Sequence, residues 1–250
     1  MPNWCTNELE VTGSAEDLKS FTEAAYETKH VDKQKNWAGV VVPAYVEEIA
    51  LSFCKLRPMP VELTGIGSGS IVLPDGTFTT SFRTLPDGTN EVVSAEEMAQ
   101  LKEKFGATDW YEWTHANWGT KWDACESRRN DEPEEGETRA SYVFDTAWCP
   151  PEAMIHFLAA KWPTLEFILT YYEEGCAFGG VMEWAHGELV SEEDAGDNLR
   201  DWLAAKGLRT DVKVECPKCK KMVYEDEFYD DICIDCEGAA AEEQQSGQES

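Results

Sequence analysis

Near the end of the 250-residue chain, Cys216-Pro-Lys-Cys219 is followed after thirteen residues by Cys233-Ile-Asp-Cys236. Two Cys-x-x-Cys steps at this separation let four thiolates converge tetrahedrally on one ion, the spacing of a zinc ribbon. A segment this short cannot bury much apolar surface, so metal binding would supply its folding free energy. Residues 213–237 are therefore expected to form a structural zinc ribbon held by Cys216, Cys219, Cys233 and Cys236. No His stands beside them to complete an open catalytic position. Two disulfides, or a redox-active Cys-x-x-Cys, are the alternatives. Redox chemistry would want the motif at a helix start after a strand, and this one lies in a charged, turn-rich stretch.

The other cysteines, Cys5, Cys54, Cys125, Cys149 and Cys176, are odd in number and scattered, which is not a disulfide framework. Met1-Pro-Asn-Trp-Cys-Thr-Asn shows no basic region and no apolar run, so no signal peptide is read, and no stretch is apolar enough to span a bilayer. The expectation is a cytoplasmic protein with no membrane partner.

Net charge is −28, with 49 acidic against 21 basic side chains. Such a field repels phosphates, which argues against direct nucleic-acid binding. It suits a partner with a basic surface, approached quickly and in a salt-sensitive way. Plain solubility is the other use of such acidity.

Apolar and polar residues alternate from Asn7 to Gly13, as in a strand. Ser14 caps the helix that follows, with Asp17 in the capping-box position and Leu18, Phe21, Ala24 and Ala25 on one face. Residues 28–93 are irregular, broken by Pro58-Met-Pro60, Pro74-Asp-Gly76 and Pro86-Asp-Gly88; they read as an insertion with small elements of its own. Ser94-Ala-Glu-Glu97 opens a helix that Gly106 stops. Trp118–Cys125 reads as a strand entered through Gly119, Glu126–Gly136 as an acidic loop or hairpin, and Arg139–Ala147 as a strand. Pro150-Pro151 starts a helix that Pro163 ends, Leu165–Tyr172 is a strand, and Phe178–Val190 a hairpin turning at His186-Gly187. Asp197–Lys206 is a short helix, and residues 238–250 a disordered acidic tail.

This order predicts an α+β fold: a ferredoxin-like antiparallel sheet with helices on one face, over residues 1–190. A long insertion at about 28–115 follows the first helix, and a connecting helix in 191–212 leads to the zinc ribbon.

Trp110–Trp122 holds four of the ten tryptophans with His115, Asn117 and Lys121. Indole rings beside a cation are what a base-stacking pocket needs, and they equally suit a packed core. Carboxylates such as Glu173 and Glu174 facing Asp123 or Asp145 would make a divalent-metal or acid–base site, although solvated edges use the same residues. No Ser-His-Asp or Cys-His order and no phosphate loop is present.

Met1-Pro-Asn-Trp-Cys-Thr-Asn, Arg57-Pro-Met-Pro60, Trp118-Gly-Thr-Lys-Trp122, Thr146-Ala-Trp148 with Pro150-Pro151, and Tyr172-Glu-Glu-Gly175 with Phe178-Gly-Gly180 together resemble the YubB-type ferredoxin-like family of bacteriophages and conjugative plasmids. The resemblance covers residues 1–190. It implies the same fold and a mobile-element origin, and brings no catalytic residue with it. It also implies a rim where strand ends meet, with Asn3, Trp4, Asn7, Trp118, Lys121, Trp122, Trp148 and Glu173 as candidate ligand- or partner-binding residues.

The function expected is a non-enzymatic binding protein that inhibits a host defence or nucleic-acid-handling protein through DNA-like acidic charge, in the bacterial host cytoplasm. The alternatives are a nucleotide-sequestering protein using the Trp-rich pocket, and a metal-dependent hydrolase or nuclease.

Overall fold

The computed structural model describes residues 2–35, 41–67, 69–72, 76–85, 87–208, 213–224, 228–229 and 232–233. Two compact units divide the chain, Met1–Ala195 and Gly196–Ser250.

The first unit is organised on a six-stranded sheet. Its strands are β1 (Trp4–Thr12), β2 (Cys125–Arg129), β3 (Arg139–Ala147), β4 (Glu166–Glu173), β5 (Phe178–Ala185) and β6 (Glu188–Asp194). They lie in the order β2-β3-β1-β4-β5-β6, each antiparallel to its neighbours. Helix α1 (Ala15–Ala25) follows β1, and α5 (Glu152–Lys161) joins β3 to β4. The run β1-α1-β2-β3-α5-β4 with spatial order β2-β3-β1-β4 is the ferredoxin-like arrangement, extended at one edge by the β5–β6 hairpin. That hairpin turns on His186 and Gly187, both at positive φ (54° and 85°), the pairing that matches strand twist in a two-residue turn.

Strand β1 shows why the sheet has one dry face. Cys5, Asn7, Leu9 and Val11 are fully buried, whereas Trp4, Thr6, Glu8, Glu10 and Thr12 are exposed or half-buried. The buried set meets Phe144, Tyr142 and Ala140 of β3 and Tyr171, Leu169 and Phe167 of β4. Helix α1 lays Leu18, Phe21 and Ala25 on this face, with the Phe21 ring edge-on to Tyr142, Trp162 and Phe167. Ser14 caps α1 as expected, its Oγ accepting from the Asp17 N–H at 3.2 Å.

The insertion between α1 and β2 is built from short hairpins, the largest pairing Glu27–Val31 with Tyr45–Ile49. It also carries α2 (Phe53–Leu56), α3 (Ala95–Phe105) and α4 (Trp110–Trp118). Phe53, Leu63, Ile66, Leu101, Trp113 and Trp118 join the same core as the sheet.

Two sequence expectations are corrected here. Trp118 ends helix α4 rather than entering a strand. Asp109 accepts the Glu112 N–H at 2.8 Å, the Glu112 carboxylate accepts the Thr108 N–H at 2.8 Å, and Gly119 closes the helix at φ 80°. The strand placed there starts at Cys125 instead and runs through the stretch read as an acidic loop. The last sheet strand, read only to Val190, continues to Asp194, and the short helix expected at Asp197–Lys206 is α6 (Leu199–Ala205).

In the second unit Asn198 caps α6, and two short hairpins follow, Lys213–Glu215 with Met222–Tyr224 and Phe228–Tyr229 with Ile232–Cys233. Residues 238–250, read as a disordered tail, lie outside the described residues.

Candidate functional site

β1 begins, β3 ends and β4 ends at the same edge of the sheet, because Trp4 pairs with Ala147 and Thr6 with Tyr172. This places Asn3, Trp148 and the Glu173–Cys176 turn together. The Trp148 N–H donates to the Asn3 carbonyl at 3.0 Å and holds the tryptophan at φ 75°, a conformation that costs an ordinary side chain about 1–3 kcal/mol. The Asn3 amide donates to the Cys176 sulfur at 3.6 Å.

The segment after α4 completes the rim. Thr120 Oγ1 donates to the Ala147 carbonyl at 3.1 Å, and the Cys149 thiol to the Gly119 carbonyl at 3.0 Å. Trp122 is thereby brought against Trp4, ring centroids 6.0 Å apart, with the Lys121 ammonium 4.7 Å from the Trp122 ring. Trp4, Trp122 and Trp148 are 41%, 37% and 49% exposed. Three half-exposed indoles at this edge, with a lysine over one of them, form an aromatic surface rather than a core.

Not every candidate belongs to that surface. Trp118 is buried among Phe53 and Trp113, with its indole N–H donating to the Arg57 carbonyl at 3.0 Å, so it is a packing residue. Asn7 is fully buried, its amide donating to the carbonyl of Cys5, the hydroxyl of Thr146 and the carbonyl of Phe144 at 2.8, 2.9 and 3.3 Å. Glu173 is 3% exposed and accepts the N–H groups of Gly175 and Cys176 at 2.7 and 2.6 Å. Burial works against its ionisation, but those backbone donors prevail and hold the carboxyl below its usual range. Asn7 and Glu173 build the rim from beneath; Asn3, Trp4, Lys121, Trp122 and Trp148 present it.

The carboxylates read as an acid–base pair have other structural roles. Asp123 accepts the Phe53 and Cys54 N–H groups at 2.6 and 3.3 Å, capping α2, while Glu173 serves its own turn. His115 lies with Nδ1 2.9 Å from the Tyr111 carbonyl, and His186 forms a hairpin turn. Among the described residues no group of three or more His, Cys, Asp or Glu side chains is placed to hold a metal.

The outer face of the sheet carries a charge pattern that the sequence reading missed. Strand register puts Glu8 and Glu10 of β1, Asp145 of β3, Glu166 of β4, Glu183 of β5 and Glu188 and Glu193 of β6 on this side. Against these seven carboxylates stand Arg128 and Arg139, the latter paired with Glu10 at 2.5 Å. Same-side residues on a strand recur every two positions, about 6.6–6.8 Å apart, with neighbouring strands about 4.8 Å away. Partial burial raises the Asp145 carboxyl, with nearby Glu126 adding to it. The signal was present in β1, where Glu8 and Glu10 alternate with Leu9 and Val11.

In the second unit Cys216 and Cys219 flank a tight turn. The Lys220 N–H donates to the Cys216 carbonyl and the Cys216 N–H to that of Lys221, both at 2.8 Å, with Lys220 at φ 63°. Neither cysteine is in a disulfide. This turn fits one half of a four-thiolate site. Cys233 ends a short strand, and Cys236 lies outside the described residues.

Residues 117–202 match the family described as the ferredoxin-like domain in Api92-like protein. A crystal structure of a protein api92 from Yersinia pseudotuberculosis is similar with a TM-score of 0.43 and 11% identity, over 79% of this chain and 99% of that one. No curated protein matches the chain. No helix among the described residues is long and apolar enough to cross a membrane.

Proposed function

We propose that this protein is a non-enzymatic binding protein whose outer sheet face occupies the basic, nucleic-acid-handling surface of a host protein and so inhibits it. The observation that carries this reading is the seven-to-two excess of carboxylates over arginines on one twisted sheet face. A face of this kind offers regularly spaced negative charge to a surface that evolved to hold phosphates. Charge of one sign steers encounter and sets orientation more than it sets affinity. Affinity needs an apolar anchor, and Trp4 lies at the end of that same face, backed by Trp122. Exposed tryptophans are the residues that most often dominate interface energies. A mobile-element origin, which the resemblance implies, is consistent with an accessory protein that disables a host factor. The zinc ribbon of Cys216, Cys219, Cys233 and Cys236 belongs to this reading as a structural module.

The test compares two triple charge reversals. Glu8→Lys, Glu10→Lys and Glu183→Lys alter the outer face; Glu16→Lys, Glu23→Lys and Glu96→Lys alter helices by the same net charge. Binding to a panel of purified bacterial nucleoid proteins is measured at low and high salt. The outer-face set should abolish binding while the helix set leaves most of it. Equal loss in both would show that bulk acidity, not this face, does the binding.

A second reading, sequestration of a nucleotide, rests on the Lys121 ammonium over the half-exposed Trp122 ring. Quenching of tryptophan fluorescence by nucleotides, lost in Lys121→Ala, would favour it.

A further inference from the structure

On the helix side of the sheet, α4 and α5 line an open cavity of about 790 Å³ that the proposed interface does not use. Its polar lining comes from Arg57, His115, Cys149, Glu152 and His156, and its walls include Phe157 with several alanines. That volume lies within the range of small-molecule pockets, about 300–1,000 Å³.

Arg57 is the unusual member. It follows the short helix α2, and its backbone carbonyl is tied to the Trp118 indole. The guanidinium stacks on Phe157, 4.5 Å from the ring centroid, and Nη1 donates to the Asn117 carbonyl at 2.9 Å. In a chain with more than two acidic side chains per basic one, the other anchored arginines take carboxylates: Arg83 takes Glu91 and Glu97, Arg129 takes Asp131 and Glu137, and Arg139 takes Glu10. Arg57 has no ion pair among the described residues, and burial alone lowers its affinity for its proton. A half-buried guanidinium held rigid by stacking, facing a cavity with most of its donors unspent, is set up for an oxyanion.

His115 also lines the cavity, with Nδ1 2.9 Å from the Tyr111 carbonyl. His156 lies on α5 one turn after Glu152, the one carboxylate in the lining. With one strong cation and apolar walls, the cavity suits one charged head on an apolar body.

We infer that this cavity binds a small oxyanionic molecule, its phosphate or carboxylate head on Arg57 and its apolar body against Phe157. The acidic outer face would repel such a ligand, so the two sites are chemically distinct.

The indole N–H resonance of Trp118, bonded to the Arg57 carbonyl, reports on the site by NMR in the full-length chain. Phenyl phosphate, benzoate and inorganic phosphate are titrated separately. A saturable shift with phenyl phosphate exceeding that with inorganic phosphate is expected, and benzoate decides between phosphate and carboxylate heads. Arg57→Gln should weaken binding about tenfold or more. Ala160→Phe, which fills the cavity from an exposed helix position, should abolish it without touching Arg57. The inference is overturned if no saturable shift occurs up to about 10 mM, or if binding persists unchanged in both folded variants.

Discussion

The Asn3 amide, just before the first strand, and the Glu173 carboxylate, at the end of the fourth, close on Gly175 with no room for a methyl group between them. A Cβ on Gly175 would stand 2.5 Å from Asn3 Nδ2 and 2.8 Å from Glu173 Oε1. The rim therefore depends on a residue with no side chain as much as on its tryptophans. Gly175→Ala should push these groups apart and cost about 1–2 kcal/mol, read from the midpoint of urea unfolding. An unchanged midpoint would show that the turn yields freely.

Glu173 links the rim to pH. Its folded-state carboxyl lies below the ordinary 4.5, so the unfolded chain binds that proton more readily. The resulting stability is fully present above about pH 4.5 and is lost as pH falls through the folded-state value. In denaturation curves measured from neutral to acid pH, Glu173→Gln should flatten the decline in that window. An identical slope in the variant would contradict this.

Asn7 is a structural polar residue in a dry layer. Replacing it by Ala leaves the carbonyls of Cys5 and Phe144 without its donors and opens a cavity, together about 2–4 kcal/mol of destabilisation. Thr146→Val, which removes one acceptor and the 2.7 Å bond to the Cys149 carbonyl, should cost less. Equilibrium unfolding of both variants checks the ranking, and a milder effect in Asn7→Ala would reverse it.

The ribbon is proposed to hold one zinc ion per chain. Native mass spectrometry should show one added zinc, lost on Cys216→Ser or on chelation, while the first unit keeps its fold by circular dichroism. A zinc-free chain with an unaltered C-terminal hairpin would set the metal aside.

Much of this architecture is legible from local chemistry. The capping serines Ser14 and Ser94, the start of α5 after Pro151, and the β-rich run from Leu165 to Tyr172 each combine period, cap and propensity in one direction. Trp118 reads as a strand residue because aromatic side chains favour strands, whereas the cap at Asp109 and Glu112 carries helix α4 through it. The charged outer face was hidden for another reason. Glu8 and Glu10 are visible as alternation, but their companions Asp145, Glu183 and Glu193 join them only through strand register. Arg57 stands out in the sequence only within Arg57-Pro-Met-Pro60, because its want of a carboxylate partner among the described residues is a property of three-dimensional placement.

The most direct test of the charge-mimic account is competition. A fluorescent DNA duplex is bound to a purified basic nucleoid protein that binds this chain, and the chain is titrated in. The account predicts that it displaces the duplex, that displacement weakens steeply with salt, and that the Glu8→Lys, Glu10→Lys, Glu183→Lys variant fails to displace. A ternary complex, with duplex and protein bound side by side, would contradict it.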